Sequence, residues 1–332
     1  MIGTQVERAL QAVPSSAIEV EQAIKGIPGL EQAGAALGGS IHNAVLAGGS
    51  LTRAVADALH GSSWFGHPLH PALTDIPVGA WALAALFDAS AAMGGGWVAE
   101  LSADSLIAIG AAAAVPTALA GIADYSAIKQ DAVAIGAAHG LLNTAGLGLY
   151  LCSLWARARG RRSQGVALAT LGLAAVGAAA ALGGDMVYRL RVGVNHTPDA
   201  AAPENWTAVL PLSEIVAYEA RRVEVDGAPV LIYNDGSSVY AIGAVCNHAG
   251  GPLEEGTFDG HCVECPWHQS VFDLRNGQVV HGPATQGQPN YATRIRNGQI
   301  EIRIASERER QQTALPRDAS SGEQEQAREV GA

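Results

Sequence analysis

Cys246-Asn247-His248 is followed, sixteen residues on, by Cys265-Pro266-Trp267-His268. Each segment offers one thiolate and one imidazole, and three of the chain's four cysteines lie in this stretch. Sulfur and imidazole donors at such close spacing point to metal binding rather than to a disulfide framework. Two chemistries use this donor set. A [2Fe–2S] cluster with two Cys on one iron and two His on the other takes one ligand of each kind from each of two loops. A tetrahedral zinc site can use the same four residues. Cys262 is a further thiol outside the two segments. Cys152 lies in an apolar run, as a small buried residue would.

The flanking residues favour the cluster. His248-Ala249-Gly250-Gly251-Pro252-Leu253 and Cys265-Pro266-Trp267-His268-Gln269-Ser270-Val271-Phe272-Asp273-Leu274 resemble the two cluster loops of Rieske proteins. His281-Gly282-Pro283-Ala284-Thr285 resembles the proline loop that covers the cluster in that family. The resemblance spans Trp206 to Ile304. It implies that Cys246 and Cys265 bind an inner iron, and His248 and His268 an outer, solvent-near one. Gln269 departs from the family, where glycine is common. Respiratory members carry one more cysteine in each loop and join them as a disulfide. Gly251 and Trp267 stand at those places here, so the resemblance is to the ferredoxin type found with oxygenases. Hydrogen bonds to the cluster sulfurs raise its potential. Ser270 can donate one, whereas Phe272, where high-potential members have Tyr, cannot.

Two loops of this kind need a rigid support, and the surrounding residues read as an all-β domain over 206–305. Ala228–Tyr233, Ser238–Ile242, Val271–Leu274 and Ile300–Ile304 are strand candidates. Asp235-Gly236, Asp259-Gly260, Asn276-Gly277 and Asn297-Gly298 are turn signals. The polar, proline-containing stretch 191–205 is a linker, and 306–332, rich in Glu, Gln, Arg and Ser, is a disordered tail.

Upstream the composition changes. Four apolar runs, Leu73–Met93, Ser105–Asp124, Ala132–Trp155 and Val166–Gly184, each approach the roughly 20 residues that span a bilayer core. They lack the polar stripe of soluble helices, and their Gly and Ala suit close packing in lipid. The fold class is therefore a four-helix transmembrane bundle over 67–190 followed by the all-β domain. Residues 1–66 read as amphipathic helices; Leu51, Val55 and Leu59 share a face that packs on the protein or lies on the membrane surface. Met1–Ala12 lacks the basic-then-apolar order of a signal peptide. Setting His70 against His139 also aligns Leu73 with Leu142, Gly79 with Gly148 and Trp81 with Tyr150, and Gly121–Asp124 resembles Gly183–Asp185. The pattern is that of two hairpins related by an axis along the membrane normal.

His60-Gly61, then Gly66-His67-Pro68-Leu69-His70-Pro71, with Pro77, Gly79 and Asp88 beyond, resemble an uncharacterised family of four-helix membrane proteins, which implies a fold and no activity. Polar positions His67, His70, Asp75, Asp124, His139, Asn143 and Asp185 fall toward one membrane face, the face from which the β domain follows. Ionisable groups at that depth are costly and often functional; capping and interhelical hydrogen bonds are the structural alternative. His70 and His139 are candidate ligands of a second redox or metal site, haem iron or another transition metal, with His67 and His196 in reserve and Asp124 and Asp185 orienting the imidazoles.

Net charge is −11, from 20 Lys and Arg against 31 Asp and Glu, which argues against nucleic acid as a partner. Arg157, Arg159, Arg161 and Arg162 draw one face of the bundle toward the cytoplasm. The N-terminal segment favours the other orientation, and the balance places the β domain on the cytoplasmic side of the cell membrane. A self-contained oxygenase needs a mononuclear iron held by two His and a carboxylate, and His281 is the sole histidine after His268. These readings give a membrane-anchored one-electron carrier working between redox proteins and a soluble acceptor or the membrane quinone pool. The alternatives are the ferredoxin component of an oxygenase system and a redox sensor.

Overall fold

Gly94 and Gly96 take φ of 97° and 67°, backbone that a side chain resists and glycine accepts. There the apolar stretch Leu69–Tyr125 turns back on itself. The computed structural model describes residues 16–62, 64–198 and 202–313; the segment Met1–Ala12 and the tail past Thr313 lie outside them. The chain divides into two units, Met1–Val194 and Asn195–Ala332.

The first unit is helical: α1 (Ser16–Lys25), α2 (Leu30–Ala47), α3 (Gly49–His60), α4 (Leu69–Ser90), α5 (Gly96–Tyr125), α6 (Val133–Ala158) and α7 (Arg162–Tyr188). Three stretches are long and apolar enough to cross a membrane, Leu69–Tyr125, Gln130–Ala158 and Arg162–Tyr188. The first holds two rods, so the expected four helices are present. His70 Nδ1 meets the carbonyl of Thr117 at 2.9 Å and Trp81 Nε1 that of Ile107 at 3.3 Å, which makes α4 and α5 an antiparallel hairpin. His139 Nδ1 to Ala179 O at 2.8 Å and Ser153 Oγ to Gly165 O at 2.7 Å do the same for α6 and α7.

The two hairpins repeat one another in their contacts. A Cβ on Gly121 would stand 2.8 Å from the His70 ring, and one on Gly183 would stand 3.3 Å from that of His139. Gly110 likewise makes room for Trp81, and Gly172 for Tyr150. Neighbouring helices thus approach through glycine, while α4 and α6 meet across the bundle through large side chains. His70 faces His139 with ring centroids 6.2 Å apart. Trp81 stacks on Tyr150 at 4.2 Å and 12°. Asp88 accepts from Arg157 at 2.8 Å. In each pair the partners hold matching positions in the two hairpins, so the pairs lie along the pseudo-two-fold axis expected from the sequence.

At the far end from the histidines, polar side chains tie all four rods together. Arg157 also donates to Asp104 at 2.7 Å and to Ser153 at 3.0 Å, and Arg162 donates to Asp88 at 3.0 Å. The short helices cover the opposite end. Gly34 and Gly38 of α2 lie against Tyr125, and His60 of α3 meets Asp124 at 2.9 Å. Of the two expectations for the apolar face of α3, packing on the protein is not what Leu51 and Val55 do: both are exposed, as a face laid on a membrane surface would be, while Asp57 and His60 are buried. The His60–Asp124 contact, rather than the apolar stripe, sets which side of α3 turns toward the bundle.

The second unit is all-β: β1 (Thr207–Pro211), β2 (Glu219–Val225), β3 (Ala228–Asn234), β4 (Val239–Gly243), β5 (Thr257–Asp259), β6 (Cys262–Glu264), β7 (Val271–Asp273), β8 (Val279–His281), β9 (Asn290–Arg296) and β10 (Gln299–Ile304), then α8 (Glu307–Thr313). Helix α8 occupies the start of the segment read as a disordered tail. One sheet has the order β1-β10-β9-β4-β3-β2 and the other β5-β6-β7-β8, with all pairs antiparallel. Asn297-Gly298 closes β9 onto β10 with φ of 51° and 75°, the two left-handed residues a tight hairpin requires. Asp226-Gly227 does the same between β2 and β3, at 52° and 81°.

Arg157→Met is expected to destabilise the bundle by about 1–3 kcal/mol, because it removes the two-pronged partner of the buried Asp88 carboxylate and leaves it Arg162 alone. The double variant Asp88→Leu/Arg157→Met is expected to recover much of that loss in thermal unfolding in detergent. A double variant no more stable than the single one contradicts this account.

Candidate metal centre

The two cluster-type loops have the same backbone plan. In the first, Cys246 N donates to Gly251 O at 2.8 Å and Gly250 N to Cys246 O at 2.8 Å; in the second, Cys265 N donates to Ser270 O at 2.8 Å and Gln269 N to Cys265 O at 3.1 Å. Each loop folds over its cysteine, and the fourth residue after that cysteine is left-handed: Gly250 at φ 88° and Gln269 at 57°. This is the physical reason glycine suits position 269. A side chain there costs about 1–2 kcal/mol in backbone strain.

Both loops stand on a core formed by Leu231, Ile242, Leu253, Val263, Phe272 and Leu274, which also encloses Cys246 and Cys265. The two thiols are buried within hydrogen-bonding reach of one another. His248 and His268 are half-buried, with ring centroids 5.0 Å apart. Backbone N–H groups of His248 and Ala249 are directed at the Cys246 sulfur, and those of Trp267 and His268 at the Cys265 sulfur. The Cys246 hydrogen bond, opposed by burial and helped by these amides, pulls the Cys265 thiol down to about 7. The Cys265 thiol and burial push Cys246 up. Cys262 lies on β6 opposite Asp273, its thiol pushed up to about 11 chiefly by burial.

Gly251 and Trp267, at the places of the absent disulfide, touch. A Cβ on Gly251 would stand 3.2 Å from the Trp267 ring and 2.8 Å from Cys265 Sγ. The indole spans the two loops in place of a covalent bridge, a role that composition and spacing did not reveal. Ser270 is fully buried, and its Oγ accepts from Ala284 N at 3.0 Å, which fastens the proline loop and leaves its O–H to donate. The Gly282–Pro283 peptide is cis. Phe272 is buried and brings no hydroxyl.

In the helical unit the structure brings His70 and His139 together, and both Nδ1 atoms meet backbone carbonyls. The carbonyls of Thr117 and Ala179 hold the positions expected of Asp124 and Asp185. Asp124 meets His60, and Asp185 lies 3.8 Å from Arg189. Asn143 Nδ2 lies 3.0 Å from His139 Nε2. His67 sits in the turn before α4 beside Phe65, at 5.9 Å between centroids. His196 belongs to the second unit, its N–H donating to Asn247 O at 2.9 Å. Within the helical unit, His67 does not join the pair.

Residues 205–292 match the family model of the Rieske [2Fe-2S] domain, and residues 66–196 that of a predicted membrane protein family, DUF2231. The naphthalene 1,2-dioxygenase system ferredoxin component of Pseudomonas putida is 29% identical over 100 residues, 30% of this chain and 96% of the relative. Ferredoxin CarAc of Metapseudomonas resinovorans is 31% identical over 98 residues, 29% of this chain and 92% of the relative. The anthranilate 1,2-dioxygenase ferredoxin subunit of Burkholderia cepacia is 34% identical over 76 residues, 23% of this chain and 70% of the relative. The chain belongs to the Rieske [2Fe-2S] family through its β unit, which follows a segment that matches the DUF2231 model of predicted membrane proteins. It is a membrane-associated electron-transfer protein that carries a [2Fe–2S] cluster.

Gln269→Gly is expected to stabilise the second loop by about 0.5–1 kcal/mol, the relief of strain being partly offset by the freer unfolded glycine. The temperature at which the cluster's visible absorption is lost should rise by a few degrees. A fall would show that contacts of the Gln269 side chain outweigh its backbone strain.

Proposed function

We propose that Cys246 and Cys265 hold the inner iron, that His248 and His268 hold the outer one, and that through this centre the chain passes single electrons between a redox enzyme and a soluble or membrane acceptor. The separation of the donors into a buried sulfur pair and a half-buried imidazole pair carries the reading. Zinc draws its ligands to one point, whereas a two-iron cluster takes a sulfur pair on one iron and an imidazole pair on the other. A cluster held there accepts and releases one electron. The amides at the two sulfurs stabilise thiolate charge, the Ser270 hydroxyl adds a donor, and the half-buried imidazoles give the electron its route to the surface. Trp267, 53% exposed beside them, forms part of the surface that a partner meets. The relatives named as dioxygenase ferredoxin components support a redox protein as one partner, and the membrane unit supports the quinone pool as another. We place the chain in the cytoplasmic membrane with the β unit on the cytoplasmic side. Arg157 and Arg162 are engaged with Asp88 and Asp104, which weakens their pull on the opposite face.

His268→Ala is expected to abolish the Rieske EPR signal of purified protein while Cys262→Ser leaves it in place. Persistence of the signal without His268 overturns the ligand set.

A second reading, that His70 and His139 ligate haem iron or another transition metal, rests on one observation. The two imidazoles face each other with both Nδ1 atoms on carbonyls, the usual outer contact of a metal-bound histidine. Asn143 would have to release His139 Nε2. Metal analysis and a pyridine haemochrome assay should then find metal or haem beyond the two irons of the cluster, and lose it in His70→Ala. Iron accounted for by the cluster alone makes the pair structural.

A further inference from the structure

The seam between α4 and α7 holds few close helix-to-helix approaches. It holds a partly open cavity of about 220 Å³. The wall is Trp81, Tyr150 and a run of alanines, with Asp88 at one end and the exposed Ala89, Ala92 and Thr170 at the mouth. The mouth lies on the outer surface of the apolar helices, so in a membrane it opens to lipid.

One polar atom on this wall is unaccounted for. Tyr150 is 1% exposed, and its hydroxyl is buried with no hydrogen-bond partner. Within a bilayer an unsatisfied donor is expensive, because no solvent can take its place. Acyl chains bring no acceptor. The carboxylate of Asp88 is engaged by Arg157 and Arg162, and Thr170 Oγ1 donates to Val166 O at 2.9 Å. The occupant must therefore bring an acceptor and be otherwise apolar. The stacked Trp81–Tyr150 pair also favours something flat. An apolar cavity of about 150 Å³ is enough to bind benzene, so this one has room for a six-membered ring bearing carbonyl oxygens.

We propose that this cavity binds the head ring of a lipid-soluble quinone, with the Tyr150 hydroxyl donating to one carbonyl oxygen and the tail leaving between Ala89, Ala92 and Thr170. The proposal rests on the reading of the chain as an electron carrier with a membrane partner, and it gives that partner a place.

Full-length protein in liposomes titrated with decylubiquinone tests it. Trp81 lines the cavity, so bound quinone should quench part of the tryptophan emission saturably, and Trp81→Phe should remove that saturable part. Tyr150→Phe keeps the ring and its stack, and should weaken binding about tenfold for the loss of one hydrogen bond. Ala89→Leu, which fills the mouth, should abolish saturation even if Tyr150→Phe proves hard to fold. Quenching that is linear in quinone, or equal in wild type, Tyr150→Phe and Ala89→Leu, reports partition into lipid only and overturns the proposal. The EPR signal of the same samples keeps the two readings apart. Loss of the cluster signal with saturable quenching intact would fail the electron-carrier reading and leave the site. The reverse would fail the site alone.

Discussion

Two sulfur atoms from two different loops must lie side by side and out of water, with two imidazoles just beyond them. The β unit is arranged around that requirement. A thiolate pair buried in apolar surroundings is costly unless donors face it, and the four backbone N–H groups at Cys246 and Cys265 supply them. To aim those amides each loop has to fold tightly over its own cysteine, which forces one left-handed residue per loop, Gly250 and Gln269. The strands that carry the loops, β5 to β8, are only three residues long. Such strands cannot hold the loops in place by themselves. The buried side chains of Leu253, Val263, Phe272 and Leu274 do so, and Trp267 on Gly251 joins the loops at the rim.

The bundle answers a different constraint. Lipid offers no hydrophobic drive between apolar helices, so association depends on close packing and internal polar contacts. The glycines at 110, 121, 172 and 183 let neighbouring rods approach large side chains, and those side chains meet across the centre. The charged contacts at the far end of the bundle, Arg157 and Arg162 with Asp88 and Asp104, are placed where each charge has several partners. An ion pair of this kind adds little net stability but is severely disruptive when half of it is lost.

The cluster loops were legible because their chemistry is written in contiguous residues: two donor types at fixed spacing, with glycines and prolines beside them. The four rods were legible from length and composition. The strands β3, β4, β7 and β10 were found by their β-branched runs. By contrast β2, with Arg221, Arg222 and Glu224 among its residues, is an edge strand with much of one face in water, and a polar edge strand looks like loop. The short β5, β6 and β8 exist only because the cluster loops need footing. The apolar stripe of α3 left two placements open, on the protein or on a membrane surface, and Leu51 and Val55 are exposed. Periodicity shows which residues share a face, but the His60–Asp124 contact decided which face is covered. The carbonyl partners of His70 and His139 were invisible because backbone atoms have no letter in a sequence.

The pairs on the pseudo-axis bear on how such a bundle arises. In a symmetric dimer a residue on the two-fold axis meets its own copy. Trp81 would then face Trp, which is tolerable, but Asp88 would face Asp or Arg157 would face Arg in a desolvated place, where like charges repel strongly. Joining the two hairpins in one chain removes the requirement for identity. Matching positions can then become complementary, Asp88 against Arg157 and Trp81 against Tyr150, while positions that tolerate likeness, His70 and His139, stay the same. The pocket between α4 and α7 draws on the same freedom: its wall sets the Trp81 indole, whose N–H is taken by the Ile107 carbonyl, beside the Tyr150 hydroxyl, so matching positions offer it different polar groups.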